Sequence, residues 1–369
     1  MIKLTIEHHH LLKALSHMQS VVERRQTIPI LSNVLLETQQ DMVFLCATDN
    51  EIEITEKIPA SVEVQGTLTV PAHKLYDIVK KLPEGSQLTL NQTEENGQLS
   101  LVSGRSRFAL PCLPAEGFPT MTHEETPYQF SLESAVLLGL INKTSFAVSV
   151  EETRYNLNGI FFHQKGEDAL AAVATDGHRL ACSKVALPEG AKGMPSVIIP
   201  RKTIGELSKL LSEFSENVEV SLSENQVRFM MGEVTLISRL IDGTYPDYEK
   251  VIPVGNDKIL QAAADDLSEV IERVSVVSEK SRGIKFALNK DLLKVFTTTS
   301  DEGFAEDEIE VSYQGEPLDI GFNYRYLLDI LSQMKAQQVS ISLKDGSSPI
   351  IMKETTSEET VFVLMPMRV

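Results

Sequence analysis

The sequence predicts an α+β protein made of three tandem copies of one domain, each with two helices and roughly eight antiparallel strands. Three observations carry this. The chain has 369 residues and is 42% hydrophobic, enough for two or three separate cores. One pattern, a strand leading straight into an amphipathic helix, occurs at Leu4–Val22, Phe130–Val148 and Leu260–Val277. The period between these segments is about 125 residues, far above solenoid repeats and near the size of a domain.

Each copy opens extended and turns helical. In the first, Leu11, Leu15, Met18 and Val22 recur at helical spacing, which predicts a buried stripe. Ser131 and Asp265 are the expected helix caps of the other two copies. Two strands around a turn follow each helix. The turns are expected at Thr48-Asp49-Asn50, Thr175-Asp176-Gly177 and Thr299-Ser300-Asp301. Asp-Gly between apolar runs is a strong hairpin signal, because Gly accepts positive φ and Asp bonds its own turn. A second helix then begins near Pro71, Pro200 and Asn323, followed by alternating stretches such as Val218–Leu222 and Val339–Leu343. Joints near Thr126-Pro127 and Gly255-Asn256 give domains at 1–125, 126–255 and 256–369.

The formal net charge is -18. A conventional nucleic-acid binder is basic, so DNA contact needs a special geometry. A domain of this size is roughly 36 Å across. Three in a closed ring leave a hole of about 5 Å, and six leave roughly 36 Å. Duplex DNA is about 20 Å wide. Two chains closing a ring would pass DNA, and enclosure needs only weak phosphate contacts from helix cations. Candidates are Arg24, Arg25, Lys202, Lys209 and Arg282, among others such as Lys13, Lys143 and Arg273.

Catalytic and metal motifs are missing from the sequence: no phosphate-binding glycine loop, no zinc-spaced cysteine pair, no cofactor fingerprint. Neither a metal nor a cofactor is expected. His8-His9-His10 reads as a surface cluster, and Cys46, Cys112 and Cys182 as core residues of a cytoplasmic protein. No apolar run reaches the roughly 18 residues that span a membrane. The runs Asp301-Glu302 and Glu306-Asp307-Glu308 read as a solvated loop and strand edge. Asp176 and His178 leave a hydrolase reading open, and the acidic tandem domains leave open a scaffold that binds peptides but never DNA.

Several stretches carry a family resemblance: Ile28–Asn33, Ser103–Phe108, Arg154–Gly159, Ala174–Leu180, Pro246–Tyr248, Gly321–Asn323 and the terminal Val363-Leu364-Met365-Pro366-Met367-Arg368. They run through the whole chain, and it resembles the bacterial DNA sliding clamps, the beta subunits of the replicative polymerase. The resemblance implies three copies of the DNA-clamp fold, closed head to tail as a homodimeric six-domain ring around duplex DNA, with no catalysis. It implies a pocket that docks short motifs of the polymerase catalytic subunit, the clamp loader, translesion polymerases and mismatch-repair proteins. One part of that pocket would use Leu157, Thr175, Gly177, His178, Arg179, Leu180, Pro246, Val251, Val363 and Met365. The other would use Arg154, Asn323, Tyr326, Ser348, Pro366, Met367 and Arg368. Phe108 and Val276-Val277 would face the partner. The chain departs from the family at Glu151-Glu152, where Gln is common, and at Asn156, where an aromatic is familiar.

Overall fold

A computed structural model describes all residues except Met1, Gln26, 93–96, 123–124, 279 and 300–302. The three-copy pattern is present throughout. The first copy holds β1 (Ile2–Glu7), α1 (His8–Val21), β2 (Asn33–Gln39), β3 (Met42–Thr48), β4 (Ile52–Pro59), β5 (Ser61–Val64) and β6 (Thr67–Pro71). It ends with α2 (Ala72–Val79), β7 (Gln87–Gln92), β8 (Gln98–Ser103) and β9 (Ser106–Pro111). The second begins with β10 (Tyr128–Glu133), α3 (Ser134–Ser145), β11 (Gly159–Lys165), β12 (Ala169–Thr175), β13 (Arg179–Ala186) and β14 (Val197–Pro200). It continues with α4 (Arg201–Glu213), β15 (Asn217–Leu222), β16 (Gln226–Met231) and β17 (Val234–Arg239). The third begins with β18 (Lys258–Ala263), α5 (Ala264–Ser275), β19 (Gly283–Asn289), β20 (Leu292–Thr299), β21 (Gly303–Glu310) and β22 (Ser312–Tyr313). Then come β23 (Leu318–Asn323), α6 (Tyr324–Leu331), β24 (Gln338–Leu343), β25 (Ile350–Glu354) and β26 (Thr360–Leu364).

The chain packs as two compact units, and the middle copy contributes to both. The first unit spans Met1–Leu137, Pro188–Met194 and Gly205–Leu240. It holds a five-stranded sheet, β5-β1-β7-β8-β9, and an eight-stranded one, β10-β15-β16-β17-β4-β3-β2-β6. The long sheet runs across a seam between copies, where β4 pairs antiparallel with β17 and Ile52 faces Ser238. Leu11, Leu15, Met18 and Val22 are all buried, as their spacing predicts. Burying each stabilises by about 1.5–3 kcal/mol. His17 of α1 is also buried, with Nδ1 2.7 Å from Glu56 and Nε2 3.1 Å from Glu213.

The second unit spans Leu138–Leu187, Pro195–Ile204 and Ile241–Val369. It holds a nine-stranded sheet, β14-β11-β12-β13-β26-β25-β24-β18-β22, and a four-stranded one, β21-β20-β19-β23. Its seam pairs β13 with β26, where Arg179 faces Leu364 and Ser183 faces Thr360.

Several local expectations are corrected. The stretches 30–58, 157–187 and 284–311, where two strands are expected, each hold three. The extra turns pass through Gln40, Gly166 and Asp291 at positive φ of 51°, 66° and 57°, so a glycine marks that of the middle copy and not the other two. Ser131 lies inside β10 and Asp265 inside α5, so neither is a cap. The residues preceding α1 and α5, Glu7 and Ala263, are extended and donate no side-chain cap. His8 is buried, with Nε2 donating to the Val79 carbonyl at 2.9 Å, so the histidine tract is not wholly a surface feature. Cys46 and Cys182 are buried, whereas Cys112 is half-exposed. Ser300, Asp301 and Glu302 lie outside the described residues.

Candidate functional site

The turn between β12 and β13 is wired by its own side chains. Thr175 Oγ1 donates to the Arg179 carbonyl at 2.7 Å and accepts from the Gly177 N–H at 3.1 Å. Asp176 Oδ1 accepts from the His178 and Arg179 N–H groups at 2.9 and 3.0 Å. Gly177 sits at φ +90°, and a Cβ there would come within 2.8 Å of the Arg154 guanidinium.

Arg179 locks this turn from outside. Its Nε donates to Asp176 at 3.1 Å, one Nη to the Phe146 carbonyl at 2.7 Å, and the other to Asp329. The guanidinium stacks 4.3 Å from the Tyr326 ring centre and 5.1 Å from that of Phe146. Its side chain is only 11% exposed, so it acts as a scaffold more than as a free hand for a ligand. His178 is exposed, its ring stacked with Tyr326, and its carbonyl accepts from the Met365 N–H at 2.9 Å. That bond carries β26 past its paired residues and sets Met365 beside the turn.

Beneath lies an apolar floor. Leu157, Val173, Leu180, Cys182, Tyr245, Tyr248 and Val363 are buried in one cluster. Phe161 stacks on Tyr245 with ring centres 4.6 Å apart and planes within 2°. Burial pushes both phenols well above the usual tyrosine range and lowers His163, whose Nε2 is 3.1 Å from the Tyr248 hydroxyl. Pro246 and Val251 are exposed on the rim beside these anchors. Arg154 is exposed, with Nε paired to Glu151 at 3.2 Å.

The chain end forms a second cavity of about 520 Å³, lined by Lys285, Phe296, Gly321, Pro366, Met367 and Arg368 among others. The Met367 N–H donates to the Gly321 carbonyl at 2.7 Å. A Cβ on Gly321 would stand 2.4 Å from the Met367 carbonyl oxygen, so only glycine allows the tail this close. Asn323 and Ser348 are engaged locally. Asn323 caps α6 by accepting from the Arg325 N–H at 3.1 Å. Ser348 Oγ donates to Asp345 at 2.9 Å, and with the Ser347 N–H and hydroxyl it holds that carboxyl at about 2.

The structure thus brings Arg154, Leu157, Thr175, Gly177, His178, Arg179, Leu180, Tyr326, Val363 and Met365 around one turn, with Pro366, Met367 and Arg368 at the second cavity. Sequence reasoning missed Phe146 and Asp329, which hold Arg179 from afar and carry no local motif. The paired tyrosines of Tyr245-Pro246-Asp247-Tyr248 were the available signal for the floor. Asp176 is spent on backbone N–H groups and Arg179, which removes the geometry a hydrolytic dyad with His178 would need. Among the described residues, no group of three or more His, Cys, Asp or Glu is placed to hold a metal ion. Among them, too, no helix is long and apolar enough to cross a membrane.

Known proteins share this whole layout. Residues 2–122, 131–247 and 249–368 match the family models described as the N-terminal, central and C-terminal domains of the DNA polymerase III beta subunit. A beta sliding clamp of Caulobacter vibrioides is 46% identical over 371 residues, with all of both chains covered. The chain belongs to the bacterial beta sliding clamp family. The clamp of Escherichia coli K12 is 37% identical, covering 99% of this chain and 100% of its own. A solved sliding clamp of Bartonella birtlesii bound to griselimycin matches with a TM-score of 0.96 at 44% identity, covering 100% of both chains. As a beta clamp the chain is a non-catalytic processivity subunit of the replicative polymerase.

The remaining predicted residues of the clamp are spread over both units. Arg24 and Arg25 are exposed after α1. Lys202 stands in the first turn of α4, and Lys209 pairs with Glu206 at 2.8 Å. Arg282 is exposed at φ +57°, its carbonyl accepting from the Tyr324 N–H. Phe108 is half-buried in β9, and Val276, just past α5, is 72% exposed beside the half-buried Val277.

Proposed function

We propose that two copies of this chain close head to tail into a ring of six domains, 1–125, 126–255 and 256–369 from each, around duplex DNA in the cytoplasm. One observation supports this most. Among the strands that end a sheet are β9 and β21, and the charges beside their free edges are opposite. Arg105 and Arg107 lie at β9, and Glu306, Glu308 and Glu310 are exposed along β21. Such edges satisfy their backbone groups by pairing with another chain, and opposite charge sets the direction. Phe108, Val276 and Val277 would add apolar contact at that joint. Arg24, Arg25, Lys202, Lys209 and Arg282 would touch phosphates from inside. Enclosure reconciles DNA retention with a net charge of -18.

The groove at Thr175–Leu180 and Val363–Arg368 would dock short motifs carrying Gln and spaced apolar residues. The polymerase catalytic subunit, clamp loader, translesion polymerases and mismatch-repair proteins would share it. The apolar floor, the exposed Met365 and Met367, and a few oriented polar groups suit an adaptable peptide site. Tethering makes polymerase release an intramolecular event that is quickly reversed.

The test is retention on circular and linear DNA at high salt, after loading by a clamp loader with ATP. Retention on circles with loss from linear ends is expected. Equal loss from both would leave an acidic scaffold that binds peptides without enclosing DNA.

A further inference from the structure

The two seams carry the same turn twice. In the first unit Thr48 Oγ1 donates to the Ile52 carbonyl at 2.8 Å and accepts from the Asn50 N–H at 3.0 Å. Asp49 Oδ1 accepts from the Glu51 and Ile52 N–H groups at 2.9 and 2.7 Å. Asn50 takes φ +76° where Gly177 takes +90°. The Arg239 N–H donates to the Glu51 carbonyl at 2.9 Å, as that of Met365 does to His178. Asn50, Arg239 and Leu240 therefore stand where Gly177, Met365 and Pro366 stand in the second unit.

A cavity of about 490 Å³ opens at this place, lined by Thr48, Asn50, Thr122, Asn225, Arg239 and Leu240 among others. Its chemistry is reversed from the apolar groove. A cation, Arg239, replaces Met365. Glu53 replaces Leu180; it is 3% exposed and accepts from the Met121 N–H at 2.7 Å. Gln226, also buried, donates to the Thr122 carbonyl at 3.1 Å and fixes that wall. The side chains of Asn50, Asn225 and Arg239 have no hydrogen-bond or ion-pair partner among the described residues. Glu51 is the exposed carboxylate of the turn itself. An unpaired guanidinium among unspent amides matches a carboxylate bidentately.

We propose that this cavity is a second docking site, taking an extended peptide segment whose acidic side chain pairs with Arg239. The lining is polar apart from Met121 and Leu240, so it offers little to the apolar anchors that suit the other groove, and the two sites select different partners.

The experiment is fluorescence anisotropy on the full chain with two labelled probes, a Ser–Glu–Ser–Asp–Ser peptide and a Gln–Leu–Ser–Leu–Leu peptide. Arg239→Gln is expected to weaken the acidic probe about tenfold, the cost of a charged hydrogen-bonded pair, and to leave the apolar probe unchanged. Met365→Ala should do the reverse. Asn50→Gly keeps the turn's positive φ and should also weaken the acidic probe. The proposal is overturned if the acidic probe fails to bind the native chain, or binds Arg239→Gln equally. It is also overturned if sodium acetate at matched carboxylate concentration displaces the probe fully, since a free anion would then be the ligand. Binding of the apolar probe reports separately on the groove of the second unit.

Discussion

Ile52 and Arg179 each close the same kind of turn and each sit at the seam of their own unit, yet they are held in opposite ways. Ile52 is 1% exposed and held by apolar packing. Arg179 is held by two carboxylates, a carbonyl and two aromatic faces. The backbone bonds around them match closely. Thr and Asp fix the turn, so the side chains hung on it are free to build one apolar groove and one polar cavity.

The largest effect separating the seams is expected at Arg179. Arg179→Ala leaves Asp176 Oδ2 and the Phe146 carbonyl without their partner, while Asp176 Oδ1 keeps its two backbone N–H bonds, and should cost about 2–3 kcal/mol for the lost charged hydrogen bonds. Arg179→Ile, which copies the first unit, should recover little, because both carboxylates remain. Urea unfolding checks this, and an isoleucine variant as stable as the native chain would contradict the ionic account.

A smaller effect tests the shared wiring. Thr175→Val and Thr48→Val should each cost about 1–2 kcal/mol, since each removes a buried hydroxyl bonding a carbonyl and an N–H. Unequal losses in thermal unfolding would break the equivalence of the two turns.

The smallest effect is pH-dependent and confined to the first unit. Burial opposes the charge on His17, but Glu56 and Glu213 outweigh it, so its pKa lies above the ordinary 6.5. A raised folded value means the protonated form is bound more tightly when folded. The contribution is complete below 6.5 and fades as pH rises through the folded value. His17→Gln should flatten that slope in unfolding midpoints measured from pH 6 to about 9.

Legibility followed locality. The α1 stripe was readable because helical spacing alone sets which face is buried. The Thr175–Arg179 turn was readable because its bonds join residues at most four apart. Asp329 was invisible, since 150 residues separate it from Arg179. Of the three extra turns, those at Gln40 and Asp291 carry no glycine signal, whereas the one at Gly166 carries it and was passed over between two apolar runs. The expected caps at Ser131 and Asp265 failed because the helices spring directly from strands, which moves the boundary. The family motifs named residues that the structure gathers around the turn, but not the arrangement that leaves Arg179 nearly buried and Met365 exposed.

The seams also set an order of events during synthesis. β4 cannot complete its pairing until β17 exists, roughly 180 residues later, and β13 waits about as long for β26. At a translation rate of about 5–20 residues per second, each strand edge stands open for roughly 10–40 s. An open edge of that age is a template for wrong partners, including the matching strand of a neighbouring nascent chain. The first copy to leave the ribosome therefore carries an open sheet edge until the middle copy arrives to cover it.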